Sequence, residues 1–256
     1  MLTQQTLETL RALSLMGMAE AYEAQLRDAD AQALSFDERL GLLADREWSD
    51  RQTRRLVRRL QIARLPMPAA VEDIDYSTPR GLDRGTIRML AEGRWLHEHM
   101  NLILCGPTGV GKTYVASALG HAACRQSFQV RYYRVTRLVG DLTIARADGS
   151  YPRVMRALAK TDLLMLDDWG LAPLTTGEAR ELLEVIDDRC NRRSTLVASQ
   201  LPVDTWHSAI SDPSIADALM DRVVHTAHKI VLKGESMRKL RAKRRPEEVK
   251  ETGRAK

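Results

Sequence analysis

One segment of eight residues restricts the possible folds of this chain more than any other. It matches the pattern GxxxxGK[ST] and consists of Gly106, Pro107, Thr108, Gly109, Val110, Gly111, Lys112 and Thr113. An apolar stretch of strand length precedes it and a helical stretch follows it, as this motif requires. Its glycines let backbone amides converge on phosphate oxygens, and the helix N-terminus adds a favourable dipole. The segment therefore predicts a strand, a phosphate-binding loop and a helix within an α/β fold.

The residues that close this loop have distinct predicted tasks. Lys112 is expected to contact the β and γ phosphates of a nucleotide, and Thr113 is expected to bind Mg²⁺ through its hydroxyl. Tyr114 follows in the first turn of the helix and completes the predicted nucleotide-binding segment. A glycine-rich turn without a ligand is the alternative interpretation.

A second motif lies further along the chain, where the apolar run from Asp162 to Leu166 ends in Asp167 and Asp168. This is the Walker B pattern. Two adjacent acids repel each other unless a cation shares them, so their placement favours a site beside Mg²⁺. We predict that Asp167 holds the metal through a water molecule and that Asp168 orients or deprotonates the attacking water. The pattern is weak alone but strong beside a phosphate loop.

Apolar runs of strand length alternate with helical stretches after residue 68, which predicts a parallel sheet covered by helices. The predicted strands are Asn101 to Cys105, Gln129 to Val135, Asp162 to Asp167, Thr195 to Ser199 and His228 to Lys233. Helices are expected near residues 112–126, 136–159, 175–192 and 203–225, the third with a capping box formed by Thr175 and Glu178. The strand at 129–135 separates this chain from small-molecule kinases and Ras-like GTPases, whose two motif strands are commonly adjacent. Since the guanine-binding sequence Asn-Lys-x-Asp is also missing, ATP is the expected nucleotide.

A short segment, Leu65-Pro66-Met67-Pro68, divides the chain, because proline lacks an amide donor and disfavours helix at the residue before it. Residues 1–67 are predicted to form a small all-helical domain of three or four helices that contacts DNA or a partner. Residues 68–245 are predicted to form the ATPase domain, and residues 246–256 a polar, flexible tail.

Basic residues are concentrated in two places, within a chain whose formal net charge is +5. The first contains five arginines that fall within about 140° on a helix, namely Arg51, Arg54, Arg55, Arg58 and Arg59. The second is the segment from Lys239 to Arg245. Arginines on one face without acids four residues away repel one another and favour a polyanionic partner. An ordinary solvent-exposed helix is the alternative.

Other features exclude several classes of protein. With 2 Phe, 4 Trp and 6 Tyr, rows of aromatic residues that stack on single-stranded bases are not expected. The 3 cysteines lack metal or redox spacing and are expected to be reduced core thiols. No apolar run is long enough to span a membrane, and the N-terminus does not resemble a secretory signal, so we expect a cytoplasmic protein without a membrane partner.

Four segments together resemble the IstB-like helper ATPases of bacterial insertion sequences. They are NLILCGPTGVGKTYVASALG, LLMLDDWGLAPLT, TLVASQLPVDTWHSAI and IADALMDRVVHTAHKIVLKGESMRK. That family belongs to the AAA+ superfamily beside the DnaC-type helicase loaders, and the resemblance extends over residues 1–245. It implies an AAA+ P-loop fold with a five-stranded parallel sheet. It also implies an ATPase that forms a homo-oligomer with ATP at subunit interfaces, binds the phosphate backbone of double-stranded DNA, and delivers that DNA to its cognate transposase.

The resemblance implies roles for further residues. Ser199, with Gln200 as the alternative, is expected to be the sensor-1 residue that contacts the γ-phosphate or the attacking water. Arg222 matches the arginine finger that acts on a neighbouring subunit, and Arg238 matches the sensor-2 arginine that contacts phosphates of its own subunit. A structural surface pair with Asp221 and an ordinary basic residue are the respective alternatives.

Asp168 stands where many AAA+ ATPases carry glutamate, so slow hydrolysis that acts as a timer is expected. Three other functions remain open. A DnaC-like helicase loader shares the same ATP site but engages a helicase and single-stranded DNA. A nucleotide-binding interaction module has negligible turnover, and a P-loop kinase transfers phosphate to a small molecule.

Overall fold

The computed structural model describes residues 2–240, and the chain divides into two compact units between Arg58 and Arg59. The first unit contains α1 (Leu2–Ala12), α2 (Met16–Arg27), α3 (Ala29–Ala33) and most of α4 (Phe36–Ala63). The predicted N-terminal helical region is therefore confirmed. The division between the units falls inside α4, earlier than the domain boundary predicted at residue 67, which stays a prediction.

The second unit alternates strands with helices. Its helices are α5 (Arg84–Ala91), α6 (Arg94–His97), α7 (Lys112–Arg125), α8 (Val135–Ala147), α9 (Tyr151–Lys160), α10 (Thr176–Arg189) and α11 (Pro213–Val224). Its strands are β1 (Asn101–Cys105), β2 (Val130–Arg134), β3 (Leu163–Trp169), β4 (Ser194–Ser199) and β5 (Ala227–Val231). Among residues 2–240, every helix is too short or too polar to cross a bilayer.

The five strands form one parallel sheet in the order β2-β3-β4-β1-β5. The predicted five-stranded parallel sheet is thus confirmed, with strand ends that differ from the predicted ones by at most two residues. β4 lies between β1 and β3, so the strands that lead into the phosphate loop and the acidic motif are not neighbours. All five carboxyl ends meet at one edge of the sheet, which brings the two motifs together.

Burial explains the apolar strands. All residues of β1 and β4 are buried, as expected for central strands of a parallel sheet that is covered on both faces. On one face, Trp169 and Trp206 pack with ring centroids 5.3 Å apart within the main core cluster. The cysteines are free thiols, of which Cys105 and Cys124 are buried and Cys190 is partly exposed.

Two predicted helices have different boundaries in the structure. The helix expected at 136–159 is two helices, because Gly149 has a φ of 76° and the amide of Ser150 donates to the Asp148 carboxylate at 2.8 Å. The helix expected at 203–225 is replaced at its start by two short 3₁₀ turns, Val203–Thr205 and His207–Ala209, and α11 begins only at Pro213. The capping box at the start of α10 is confirmed, since Thr175 and Glu178 exchange hydrogen bonds.

Candidate nucleotide-binding site

The predicted phosphate loop connects β1 to α7, and its glycines adopt conformations that other residues rarely take. The φ angles of Gly106 and Gly109 are 148° and 82°. A side chain at Gly106 would collide with the Leu232 carbonyl, and one at Gly109 with the Ser236 hydroxyl. The segment that follows β5 therefore packs directly on the loop, and glycine is required for this close approach.

Lys112 lies at the first position of α7 and is almost completely buried. Its Nζ donates to the carbonyl oxygens of Gly106 at 2.7 Å and Pro107 at 3.0 Å. The ammonium group therefore contacts the start of the phosphate loop that Lys112 follows. Burial lowers the pKa of Lys112, and the nearby charges of Asp167 and Asp168 oppose that shift. An anion in the loop would add the negative charge that favours the ammonium form.

The two predicted metal ligands are in contact. Thr113 Oγ1 donates to Asp167 Oδ2 at 2.9 Å, and the hydroxyl of Tyr132 donates to the same oxygen at 2.9 Å. Burial, followed by the charge of Asp167, raises the pKa of Tyr132, so its phenol stays protonated and remains a donor. The backbone amide of Asp168 donates to the second carboxylate oxygen, Oδ1, at 2.9 Å.

This arrangement fits Mg²⁺ bound with a nucleotide. Mg²⁺ prefers hard oxygen ligands and commonly takes one or two from the protein, with water and phosphate oxygens completing the octahedron. Thr113 and Asp167 offer a hydroxyl and a carboxylate beside the phosphate loop. Within residues 2–240, no three His, Cys, Asp or Glu side chains are grouped so that they could hold a metal ion by themselves.

Asp168 has a different environment from its neighbour. β3 has an irregular register between Leu166 and Trp169, where Asp168 takes a φ of 59°. Its Oδ2 lies 3.5 Å from Nε of Arg134, and it is more exposed than Asp167. The two carboxylates thus have different surroundings: Asp167 is buried and held by three hydrogen bonds, and Asp168 is partly exposed beside Arg134.

Both sensor candidates lie beside the phosphate loop: the Ser199 carbonyl accepts a hydrogen bond from the Gly106 amide at 3.2 Å, whereas Gln200 contacts the loop through its side chain. Gln200 Oε1 accepts a hydrogen bond from the hydroxyl of Thr108. Ser199 is fully buried, and its hydroxyl donates to the Trp169 carbonyl at 2.7 Å and accepts from the Leu201 amide at 3.1 Å. The Ser199 hydroxyl is therefore engaged within the core, and the assignment of sensor 1 stays a prediction.

Arg222 lies far from the phosphate loop of its own chain. Its carbonyl accepts a hydrogen bond from Asn101 Nδ2 at 3.0 Å, at the start of β1, whereas the loop follows the end of that strand. The four residue steps between these ends span about 13 Å. The Arg222 guanidinium pairs with Asp187 of α10, not with the adjacent Asp221. The side chain is therefore placed outside the site formed by its own chain.

Arg238 lies close to the loop in the chain that covers it. The amide of Met237 donates to the Gly109 carbonyl at 2.9 Å, and Arg238 is the next residue and is exposed. Of the predicted basic segment, Lys239 and Leu240 are described and residues 241–245 lie outside the described residues, as does the predicted tail at 246–256.

Two further residues at this site were not predicted from the sequence. Arg80 is buried, and its guanidinium donates to the Val110 carbonyl of the loop at 3.1 Å and to the Asp75 carbonyl at 2.6 Å. A single arginine in a loop carries no sequence signal for this role. Tyr132 had a weak signal, since it places a hydroxyl inside a predicted strand three residues before its predicted end at Val135.

The basic face of α4 is partly neutralised. Arg51 Nε lies 2.6 Å from Glu47 Oε1, and Arg54 Nη2 lies 2.8 Å from Asp50 Oδ2. The expectation that these arginines lack acids four residues away is therefore wrong, because the acids precede the segment that was considered. Arg59 Nε donates to the Cys124 carbonyl at 2.9 Å. The remaining two, Arg55 and Arg58, are exposed.

A further basic face occurs on α9, a helix without any acidic residue. Its exposed cations are Arg153, Arg156 and Lys160, at spacings that place them on one side of the helix. Its other side is apolar, and Leu158 is buried in the core. This face was not predicted, because the sequence pattern merged α8 and α9 into one helix.

The sequence is similar to a known protein family and to several of its members. Residues 8–245 match the family model described as IstB-like ATP binding protein. The chain is 49% identical to the insertion sequence ATP-binding protein y4pL of Sinorhizobium fredii, covering 93% of this chain and 98% of that protein. It is 50% identical to the insertion sequence IS1162 ATP-binding protein of Pseudomonas fluorescens, covering 83% of this chain and 93% of that protein.

Among solved structures, the chain is similar to the DnaC helicase loader, with a TM-score of 0.56 and 18% identity. The match covers 64% of this chain and 97% of that structure. The predicted AAA+ P-loop fold is confirmed by this similarity, which at such low identity concerns the fold alone.

Proposed function

The chain belongs to the family of IstB-like ATP-binding proteins, and from this premise we propose that it is an ATPase that assembles on double-stranded DNA and assists a transposase. The observation that carries the proposal is the contact between Thr113 and Asp167 beside a phosphate loop that holds Lys112. Such a site suits a nucleotide with Mg²⁺. The insertion-sequence names of the relatives support a cognate transposase as the partner.

Each residue of the site has a chemical task in this proposal. Lys112 and the loop amides bind the phosphates, while Thr113 and Asp167 hold Mg²⁺, Asp167 through water. When bound, Mg²⁺ neutralises charge that develops on the phosphates. Asp168, at the open edge of the site, orients the attacking water.

The remaining contacts to the phosphates come from residues on neighbouring segments. Gln200 replaces Ser199 as our sensor-1 residue, because it already contacts Thr108 of the loop. Arg238 is the sensor-2 residue, since the preceding Met237 is hydrogen-bonded to the loop.

Arg222 is assigned to the site of a neighbouring subunit. Its place beside Asp187, remote from its own phosphate loop, supports action in trans. In that case Arg222 exchanges Asp187 for the nucleotide of the neighbour, and an arginine finger of this kind contributes about 10³ to 10⁵ in rate. Hydrolysis would then depend on assembly into a homo-oligomer.

The proposed DNA-binding surface consists of exposed cations on two helices. The exposed cations of α9, together with Arg55 and Arg58 of α4, support contacts to phosphates. An oligomer repeats these weak contacts, so that affinity rises through multivalency. Binding is expected to depend on salt and to be largely independent of DNA sequence.

The size of the assembly on duplex DNA tests this function, measured by light scattering with ATP, with ADP and without nucleotide. We expect large assemblies with ATP only, and their loss in both Lys112→Ala and Arg222→Ala. The two variants separate the roles, because Arg222→Ala should still bind a fluorescent ATP analogue whereas Lys112→Ala should not. A protein that stays monomeric in all three conditions contradicts the proposal.

A further inference from the structure

Tyr132 occupies a position that neither the phosphate loop nor the acidic motif explains. Its hydroxyl and that of Thr113 both donate to Asp167 Oδ2, each at 2.9 Å. The amide of Asp168 donates to the other carboxylate oxygen at 2.9 Å. Donors from β2, α7 and β3 therefore fix the orientation of one buried carboxylate.

The register of two strands explains how Tyr132 reaches this carboxylate. In the parallel pairing of β2 with β3, Asp167 is the partner of Arg134, two residues beyond Tyr132. Two residues of a strand span about 6.6 Å, a distance that a phenol bridges and a shorter hydroxyl side chain does not. Tyr133 points to the opposite face of the sheet and packs against the core. A tyrosine at position 132, and not at its neighbour, is thus built into the site.

Tyr132 differs from the other side-chain donor, since Thr113 is itself assigned to the metal. Because Tyr132 is not assigned to the metal, its hydroxyl can keep the Asp167 carboxylate oriented when the Thr113 hydroxyl binds Mg²⁺. We propose that Tyr132 is a positioning residue that holds Asp167 in the orientation needed for Mg²⁺-dependent nucleotide binding. The inference rests on the proposed function, because it requires Mg²⁺ at Thr113 and Asp167. Partners of metal ligands commonly contribute about tenfold or more in metal affinity.

Binding of a non-hydrolysable fluorescent ATP analogue to the full-length protein, followed against Mg²⁺ concentration, tests this role. In Tyr132→Phe we expect the half-maximal Mg²⁺ concentration to rise about tenfold, with unchanged affinity for the analogue in EDTA. Tyr133→Phe removes a hydroxyl one residue along the same strand and should keep the wild-type midpoint. An unchanged midpoint in Tyr132→Phe overturns the proposal. Equal weakening with and without Mg²⁺ also overturns it, because a general structural role produces that result.

A double-mutant cycle tests whether Tyr132 acts through Asp167. In an Asp167→Asn background, adding Tyr132→Phe should shift the midpoint by less than about twofold, whereas a full additional shift contradicts the proposal. A failure of the proposed function gives a different result. If the wild type binds no analogue at any Mg²⁺ concentration, both the proposed ATPase and the role of Tyr132 are contradicted. If the wild type binds in a Mg²⁺-dependent way and Tyr132→Phe has the same half-maximal Mg²⁺ concentration, only the role of Tyr132 is contradicted.

Discussion

Arg80 shows how a single buried side chain can shape a loop that the motif alone does not fix. Its guanidinium joins the Val110 carbonyl of the phosphate loop to the Asp75 carbonyl. Lysine has one compact ammonium group and cannot reproduce this forked geometry. We therefore expect Arg80→Lys to lower the free energy of unfolding by about 1–3 kcal/mol and to weaken nucleotide binding. Urea unfolding and nucleotide titration check this, and wild-type values in both would contradict the role of Arg80.

At the scale of residues, the sequence predicted what is contiguous and missed what the fold assembles. The phosphate loop and Asp167 with Asp168 were predictable, because each motif is a short run whose chemistry follows from neighbouring positions. Arg80 and Tyr132 were not, since their partners are distant in the chain and only the sheet and the preceding loop bring them together. Our proposal of Gln200 over Ser199 likewise rests on which of the two side chains is engaged within the core.

At the scale of elements, α10 is tied to its neighbours by a buried arginine. Arg189 is almost completely buried and donates to the carbonyls of Leu158 at 2.5 Å, Thr161 at 2.8 Å and Ser194 at 2.5 Å. Burial lowers the pKa of Arg189 to about 9. Arg189→Met would leave three buried acceptors without this donor, so we expect the free energy of unfolding to fall by at least about 3 kcal/mol.

Urea denaturation measures this effect, with Arg192→Met as the control, because Arg192 lies three residues further along and is exposed. The control should change the free energy of unfolding by no more than about 0.5 kcal/mol. Equal effects of the two substitutions would contradict the role assigned to Arg189.

The strands were easier to predict than the helices, for a physical reason. An apolar run bounded by polar residues marks a buried strand, as in β1, β3 and β4, and all five predicted strands overlap strands of the structure. The break between α8 and α9 depends on the turn at Asp148 and Gly149, a local signal that apolar periodicity on both sides obscured. The start of α11 was set by Asp212, which caps the helix through the amides of Ser214 and Ile215.

At the scale of the whole molecule, some basic surfaces are neutralised by ion pairs and others are available to bind a polyanion. The net charge and the clusters of basic residues could be predicted from the sequence, but the ion pairs of Arg51 and Arg54 were recognised only in the structure. The cations of α9 share a helix with no acid. If they contact phosphates, each contact releases counterions and steepens the salt dependence of binding.

We therefore expect the combined replacement of Arg153, Arg156 and Lys160 by alanine to weaken binding to duplex DNA of any sequence. The slope of log K against log salt should become shallower by about one for each phosphate that the variant no longer neutralises. Arg88→Ala with Arg94→Ala is the control, since both side chains are 84% exposed and lie on other helices. The slope is a sharper test than affinity, because a misfolded variant binds weakly at every salt concentration, whereas the removal of phosphate-binding cations changes the dependence on salt. A triple variant with the wild-type slope would mean that α9 does not contact DNA.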